Sequence, residues 1–214
     1  MKEVKIVRIR NIKSAKDIID NCPFVIKSPE DYKGKYHKLF GNNNPIHLEI
    51  GMGKGKFLLE NAIENPNINF IGIEKYDTIV AKAIEKITPL SPPNLKIIRT
   101  DALELENILS KEIDLIYLNF SDPWPKKKHE KRRLTSSVFL SIYDKVFKDE
   151  NIIIQKTDNI SLFESSIKSL IDYGYEIEEV NYNLSNSSIS NIETEYEKKF
   201  KNLGIKINYL KARK

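Results

Sequence analysis

A chain of 214 residues that is 40% hydrophobic and 30% charged can bury one good core and is not disordered by composition. No stretch approaches the roughly 18 apolar residues of a membrane span, and the start Met1-Lys-Glu-Val-Lys-Ile-Val-Arg8 lacks a signal-peptide apolar region, so a cytoplasmic protein is expected. The net charge of +5 suits an acidic partner without deciding for one, the single cysteine, Cys22, excludes an intramolecular disulfide and a Cys-based zinc site, and His37, His47 and His129 are too scattered for a metal.

Residues 1 to 44 alternate basic and apolar groups and end in the turn-rich Gly41-Asn-Asn-Asn-Pro45. This divides the chain into an N-terminal extension, 1–44, expected to be partly ordered, and a main domain, 45–214. From Ile46 short apolar runs alternate with helical patterns. The spacing predicts a strand over 46–50, a helix over 56–65, a strand over 68–74, a helix over 77–87, a strand over 95–99 and a short helix near 103–109. It continues with a strand over 113–118, a basic loop, a helix over 136–147, a strand over 151–157, a helix over 160–173 and a strand over 176–181. Repetition of βαβ units predicts a mostly parallel sheet with right-handed crossovers. The end differs. A polar Ser/Asn segment, 184–191, whose low-complexity part 185–190 is expected to be a mobile loop, precedes a helix over 192–203, Gly204 and a strand over 205–210 that could insert antiparallel.

The strand over 113–118 leads into Asn119-Phe-Ser-Asp-Pro-Trp-Pro-Lys-Lys-Lys-His-Glu-Lys-Arg-Arg133. Pro123 and Pro125 cannot donate to a ladder, so the chain leaves the sheet near Asp122. In open α/β sheets the carboxyl ends of strands are where ligands bind, which makes Asp122 either a pocket carboxylate or a turn former before proline. From Lys126 to Arg133 six of eight residues are Lys or Arg, a density suited to phosphate neutralisation.

A second signal is the turn Gly51-Met-Gly-Lys-Gly55 between a strand and a helix, where a nucleotide can approach backbone at a helix N-terminus. The third glycine is Gly55, with Lys56 where a dinucleotide fingerprint would have glycine, and no Gly-Lys-Ser/Thr follows. Neither an NAD site nor a Walker loop fits well. Acidic residues end or follow the first four strands: Glu49, Glu74, Asp101 and Asp122. Glu74 lies 23 residues after Gly51, close to the spacing at which a carboxylate accepts from a ribose diol. Asp101 either accepts from an exocyclic adenine amine or caps the following helix. Glu49 would be costly to bury unpaired, which fits a cationic ligand group such as an ammonium or a sulfonium. Acidic walls suit S-adenosylmethionine better than a pyrophosphate.

Over residues 48–210 the chain resembles the bacterial tRNA (guanine-N7-)-methyltransferases, within the class I S-adenosylmethionine-dependent methyltransferases. The residues that carry the likeness are Glu49-Ile-Gly-Met-Gly-Lys-Gly-Lys-Phe57, Ile71-Gly-Ile-Glu74, the loop Asn119 to Leu134, Thr157-Asp-Asn-Ile-Ser-Leu-Phe163 and Thr194-Glu-Tyr-Glu-Lys-Lys-Phe200. The resemblance implies a Rossmann-like sheet of seven strands, mostly parallel with an antiparallel last strand and helices on both faces. It implies methyl transfer from S-adenosylmethionine to N7 of a guanosine in the variable loop of tRNA. It places Glu49, Gly51, Gly53, Gly55, Glu74, Asp101 and Asp122 at the cofactor, with Asp122 also catalytic. Lys126, Asp158, Thr194, Glu195, Tyr196 and Glu197 fall at substrate-binding positions, and Lys127, Lys128, Lys131, Arg132 and Arg133 in the tRNA-contacting run. No metal is implied. The expected partner is tRNA, with no membrane, and the protein is expected to be a monomer or homodimer.

Three rivals remain from the residues themselves. Asp122-Pro-Trp-Pro125 is similar to the Asp/Asn-Pro-Pro-aromatic loop of amino-group methyltransferases, although the order of proline and aromatic differs. A non-catalytic RNA-binding protein would keep the basic run without needing the acidic strand ends. An NAD-dependent oxidoreductase is weakened by Lys56. Trp124 either stacks on a base or plugs the turn.

Overall fold

The computed structural model describes residues 14–184, 187, 189 and 191–214. Residues 1–13, and most of the segment 185–190 read as a mobile loop, lie outside the described residues. The main-domain elements follow in chain order: β1 (Ile46–Ile50), α3 (Lys56–Glu64), β2 (Asn69–Glu74), α4 (Asp77–Ile87), β3 (Leu95–Arg99), α5 (Leu105–Ile108), β4 (Leu115–Asn119), α6 (Ser137–Val146), β5 (Ile152–Thr157), α7 (Ile160–Asp172), β6 (Glu176–Asn181), α8 (Glu195–Asn202) and β7 (Asn208–Arg213). Two short helices precede them, α1 (Ala15–Asp20) and α2 (Tyr36–Phe40). The strands form one seven-stranded sheet in the order β3-β2-β1-β4-β5-β7-β6. The first five are parallel, and β7 inserts antiparallel between β5 and β6.

This arrangement follows from where the apolar residues lie. All six residues of β2 are buried, as expected of a parallel strand covered on both faces. One core layer joins the sheet to α5, α6 and α7 through Leu105, Leu140, Tyr143 and Phe163, and a second joins it to α1, α3 and α4 through Ile19, Leu58, Val80 and Ile84. The segment before Ile46 shares both layers, Ile26 and Tyr36 packing in the first and Cys22, Phe24 and Val25 in the second. Val25 forms a parallel bridge with Ile97, and Ile26 N donates to Ile97 O at 2.9 Å.

Three elements differ from the sequence reading. β7 runs over 208–213 instead of 205–210, because its pairing with β5 and the ion pairs from Lys211 and Arg213 to Glu178 draw the charged tail into the ladder. β4 begins at Leu115 and continues to Asn119, while the buried Ile113 bridges Phe147 instead. α8 begins at Glu195, with Thr194 as its cap and Glu197 closing a capping box. The strand order 3-2-1-4-5 puts the chain reversal between β1 and β4, whose carboxyl ends open a crevice.

Candidate active site

A cleft of about 830 Å³ lies at that crevice. Its floor is the turn from β1 into α3. Gly51, Gly53 and Gly55 all have positive φ, and at Gly55, which caps α3 with φ +73°, a Cβ would come within 3.0 Å of the Ile87 side chain. The positive φ at all three positions, and the close packing of Gly55 on Ile87, are what require glycine in this turn. Glu49, Glu74, Asp101 and Asp122 all line the cleft, so the four acidic strand ends meet in space.

Their environments differ. Glu49 is 2% exposed. One of its oxygens accepts from Asn119 Nδ2 at 2.8 Å; the other, like Asn119 Oδ1, is buried without a partner among the described residues. Burial pushes the Glu49 carboxyl up to about 8, against the Asn119 hydrogen bond and the charge of Lys156, which lower it. Once Glu49 is ionised, both atoms are buried acceptors without donors, which an ammonium group satisfies. Glu74 accepts with Oε1 from the backbone N–H groups of Lys75 at 2.9 Å and Tyr76 at 3.1 Å, which fixes the carboxylate in place. Asp101 does cap: its Oδ1 accepts from Leu103 N at 3.0 Å, and it still lines the cleft. A wall of buried and fixed carboxylate acceptors has the chemistry that S-adenosylmethionine, with its ammonium, ribose hydroxyls and adenine amine, would need.

The wall opposite is the loop after β4. Phe120 and Trp124 both adopt left-handed φ, +50° and +40°, a conformation that costs a non-glycine residue energy and that concentrates at functional sites. Phe120 turns the chain out of the sheet, with its N–H held by Lys156 O at 2.8 Å, and thereby delivers the exposed Asp122 to the cleft mouth. Arg133 fastens the far side: its guanidinium donates to Pro123 O at 3.2 Å and Trp124 O at 3.1 Å. Trp124 is half-buried and lines the cleft; the Arg132 guanidinium lies 4.8 Å over its ring and His129 stands at 5.8 Å.

The basic run is therefore not uniform. Lys126, Lys127, Lys128, Lys131 and Arg132 are exposed, whereas Arg133 is committed to the turn. Across the cleft Thr194, Glu195, Tyr196 and Lys199 form the second lip. Tyr196 stacks on Phe120 with ring centroids 5.8 Å apart, and Glu195 pairs with Lys86. Six of the expected site residues lie outside the cleft lining: Lys126, Lys127 and Lys128 on the exposed loop, Arg133 in the turn, and Glu197 and Asp158. Glu197 is buried, with its oxygens taken by Lys156, Asn191 and Thr194 N. Asp158 is exposed beyond β5, where Asn159, not Asp158, caps α7. Asn119, Phe120 and Lys156 were not foreseen. Asn119 had a signal in its place at a strand end, while Lys156, between Gln155 and Thr157 at the polar end of β5, read only as part of a strand.

A nucleotide cleft with acidic strand ends on this seven-stranded sheet defines a class I S-adenosylmethionine-dependent methyltransferase. Solved structures agree on the fold: "Structure of an Antibiotic Related Methyltransferase" superposes with a TM-score of 0.63 at 18% identity, over 85% of this chain and 92% of that one, and a SAM dependent methyltransferase from Archaeoglobus fulgidus with 0.52 at 17%, over 87% and 95%. Residues 43–210 match the family described as "Putative methyltransferase". Two relatives, each called tRNA (guanine-N(7)-)-methyltransferase, come from Lachnoclostridium phytofermentans, 46% identical over 96% of this chain and 98% of the relative, and from Geobacillus sp., 49% identical over 94% and 93%. The chain belongs to the tRNA (guanine-N7-)-methyltransferase family.

Proposed function

We propose that this chain transfers the methyl group of S-adenosylmethionine to N7 of a guanosine in the variable loop of tRNA, giving N7-methylguanosine and S-adenosylhomocysteine. The observation that carries this reading is the meeting of Asp122, the acidic cofactor wall and the exposed basic loop at one cleft. The bound cofactor supplies an electrophilic methyl on a sulfonium.

Guanine N7 carries an unprotonated lone pair, so the reaction needs alignment and no strong base. As the N7–methyl bond forms, the S–methyl pair stays on sulfur and the purine becomes cationic. Alignment is worth roughly 7–11 kcal/mol when reacting groups are held well. Asp122 accepts from the N1 and N2 protons of guanine, orients the ring and favours it as positive charge develops. Glu49 holds the donor's ammonium with Asn119, and Glu74 holds its ribose. Lys126, Lys127, Lys128, Lys131 and Arg132 neutralise phosphates. Thr194, Glu195 and Tyr196 offer polar and flat surfaces to the base from the second lip, and Asp158 reads the nucleic acid from outside the cleft.

Incubation of the protein with labelled S-adenosylmethionine and unmodified tRNA, followed by nucleoside mass spectrometry, tests the proposal. N7-methylguanosine is the expected product. A methylated exocyclic amine would favour the amino-group reading, and no transfer with no cofactor binding would favour a non-catalytic RNA-binding protein.

A further inference from the structure

α8 carries residues of the second lip; its Phe200 packs partly buried beside Phe120 over Leu184, Ile207 and Tyr209, and the rest of its seating is ionic. Of its eight residues, the one that is buried is Glu197. That carboxylate meets Lys156 of β5, whose ammonium is buried (2% exposed side chain) and whose three protons go to Glu197 Oε2 at 2.9 Å, Asn191 Oδ1 at 2.7 Å and Ile192 O at 3.0 Å. All three acceptors lie in the segment leading into or through α8. The ammonium also sits 4.7 Å from the centre of the Phe57 ring, at the start of α3 beside the glycine turn. Lys156 itself does not line the cleft, so it touches neither ligand; the residues it holds through the segment, Thr194 to Tyr196, do.

We infer that Lys156 is a positioning residue for the nucleic-acid half of the cleft: its buried ammonium latches Asn191, Ile192 and Glu197 to the sheet, and so sets Tyr196 against Phe120 as a flat surface for a splayed purine. This rests on the tRNA reading above. A buried ion pair contributes little net stability compared with an apolar pair of the same shape, but breaking it from one side strands a charge. The latch is thus rigid when whole and releases its helix when halved. The Lys56 bond to Glu193 O at 3.0 Å and the Lys86–Glu195 pair tether the segment at its exposed edge, where solvent weakens them.

The test compares Lys156→Met, Glu197→Gln and the double variant Lys156→Met/Glu197→Met with the unaltered protein. Three quantities are read: hydrogen exchange of residues 191–202, kcat/KM for tRNA, and Kd for S-adenosylmethionine. In Lys156→Met, exchange over 191–202 should rise at least tenfold with β1 and β4 unchanged. Its tRNA kcat/KM should fall at least thirtyfold, well beyond the weakening of the cofactor Kd that loss of the Lys156 charge near Glu49 brings. Glu197→Gln should show the same pattern more weakly, and serves if Lys156→Met does not fold. The double variant, with an apolar pair in place of the ionic one, should regain at least tenfold of the lost tRNA efficiency. The inference is overturned if tRNA efficiency stays within threefold of the unaltered protein, if exchange rises across the whole sheet, or if the double variant is no better than the single. Failure of the unaltered protein to methylate tRNA would instead overturn the functional reading, and the exchange comparison would still judge the latch.

Discussion

The buried Glu49 makes cofactor binding depend on pH in a way that can be calculated. In the free protein its carboxyl is pushed up to about 8 by burial, so at pH 7 about nine-tenths of the molecules hold a proton there. Pairing with an ammonium requires the carboxylate, so that proton must leave on binding. Affinity for S-adenosylmethionine should therefore climb as pH rises, by roughly twentyfold between pH 6 and pH 7.5 if Glu49 titrates near the value of about 8. The ligand's own α-amine, ordinarily about 7.7–8.0, loses its charge over the top of this range, so the gain shrinks above about pH 7.5 and stops near pH 8. Calorimetry in buffers of different ionisation enthalpy should count about one proton released per site at pH 7, and Glu49→Gln should bind weakly with no such slope. The same group affects stability with a defined sign. Its folded value lies above the ordinary 4.5, so its contribution is fully present below about pH 4.5 and is lost as pH rises toward 8, at up to roughly 1.4 kcal/mol per pH unit. The cofactor-free protein should thus lose thermal stability relative to Glu49→Gln across that window. An affinity that is flat from pH 6 to 7.5, with no proton released, would refute the placement of the ammonium at Glu49.

Other outcomes follow from individual contacts. Asp122→Asn should lower kcat by roughly 10²–10³-fold, the usual cost of removing a group that favours developing charge, in single-turnover assays with an unchanged melting temperature. Replacing Lys127, Lys128, Lys131 and Arg132 with glutamine should reduce the slope of log affinity for tRNA against log salt by about 3 and leave cofactor affinity unchanged; Arg133→Ala should barely alter that slope. Arg133→Ala should instead free the carbonyls of Pro123 and Trp124 and change the fluorescence of the single tryptophan, at a cost of about 1–3 kcal/mol in stability. Gly72→Ala would drive a Cβ into the Met52 and Leu58 side chains and should destabilise by about 1–3 kcal/mol, with a weaker cofactor site because Met52 belongs to the glycine turn.

The strands and most helices were legible because each writes its own period. Ile46 to Ile50 alternates apolar with polar residues, and β5 opens with Ile152-Ile-Ile154, each beginning just after a breaker, Pro45 or Asn151. The strand ends were legible too, since Glu49, Glu74, Asp101 and Asp122 recur at the same point of each βα unit. What could not be read depends on neighbours in space. The Asn119 bond to Glu49 exists because β4 lies beside β1, 70 residues away in sequence. The role of Lys156 depends on β5 lying under a segment 35 to 41 residues further on. Arg133 shows the same limit within one loop. By charge density it belonged with its basic neighbours, and only the path of the turn, bent by the left-handed Trp124, assigns it to the backbone carbonyls. The boundary of β7 was missed for a related reason: Lys211 and Arg213 have no strand signal of their own and are held by Glu178 across the sheet.

The central claim is the transfer of a methyl group to N7 of a guanosine, and the atom modified tests it most directly. A tRNA transcript incubated with the protein and S-adenosylmethionine, then reduced and treated with aniline, breaks wherever N7-methylguanosine stands. The account predicts a new break at a single guanosine of the variable loop, absent with Asp122→Asn. Methyl incorporated into the transcript without any break would contradict it.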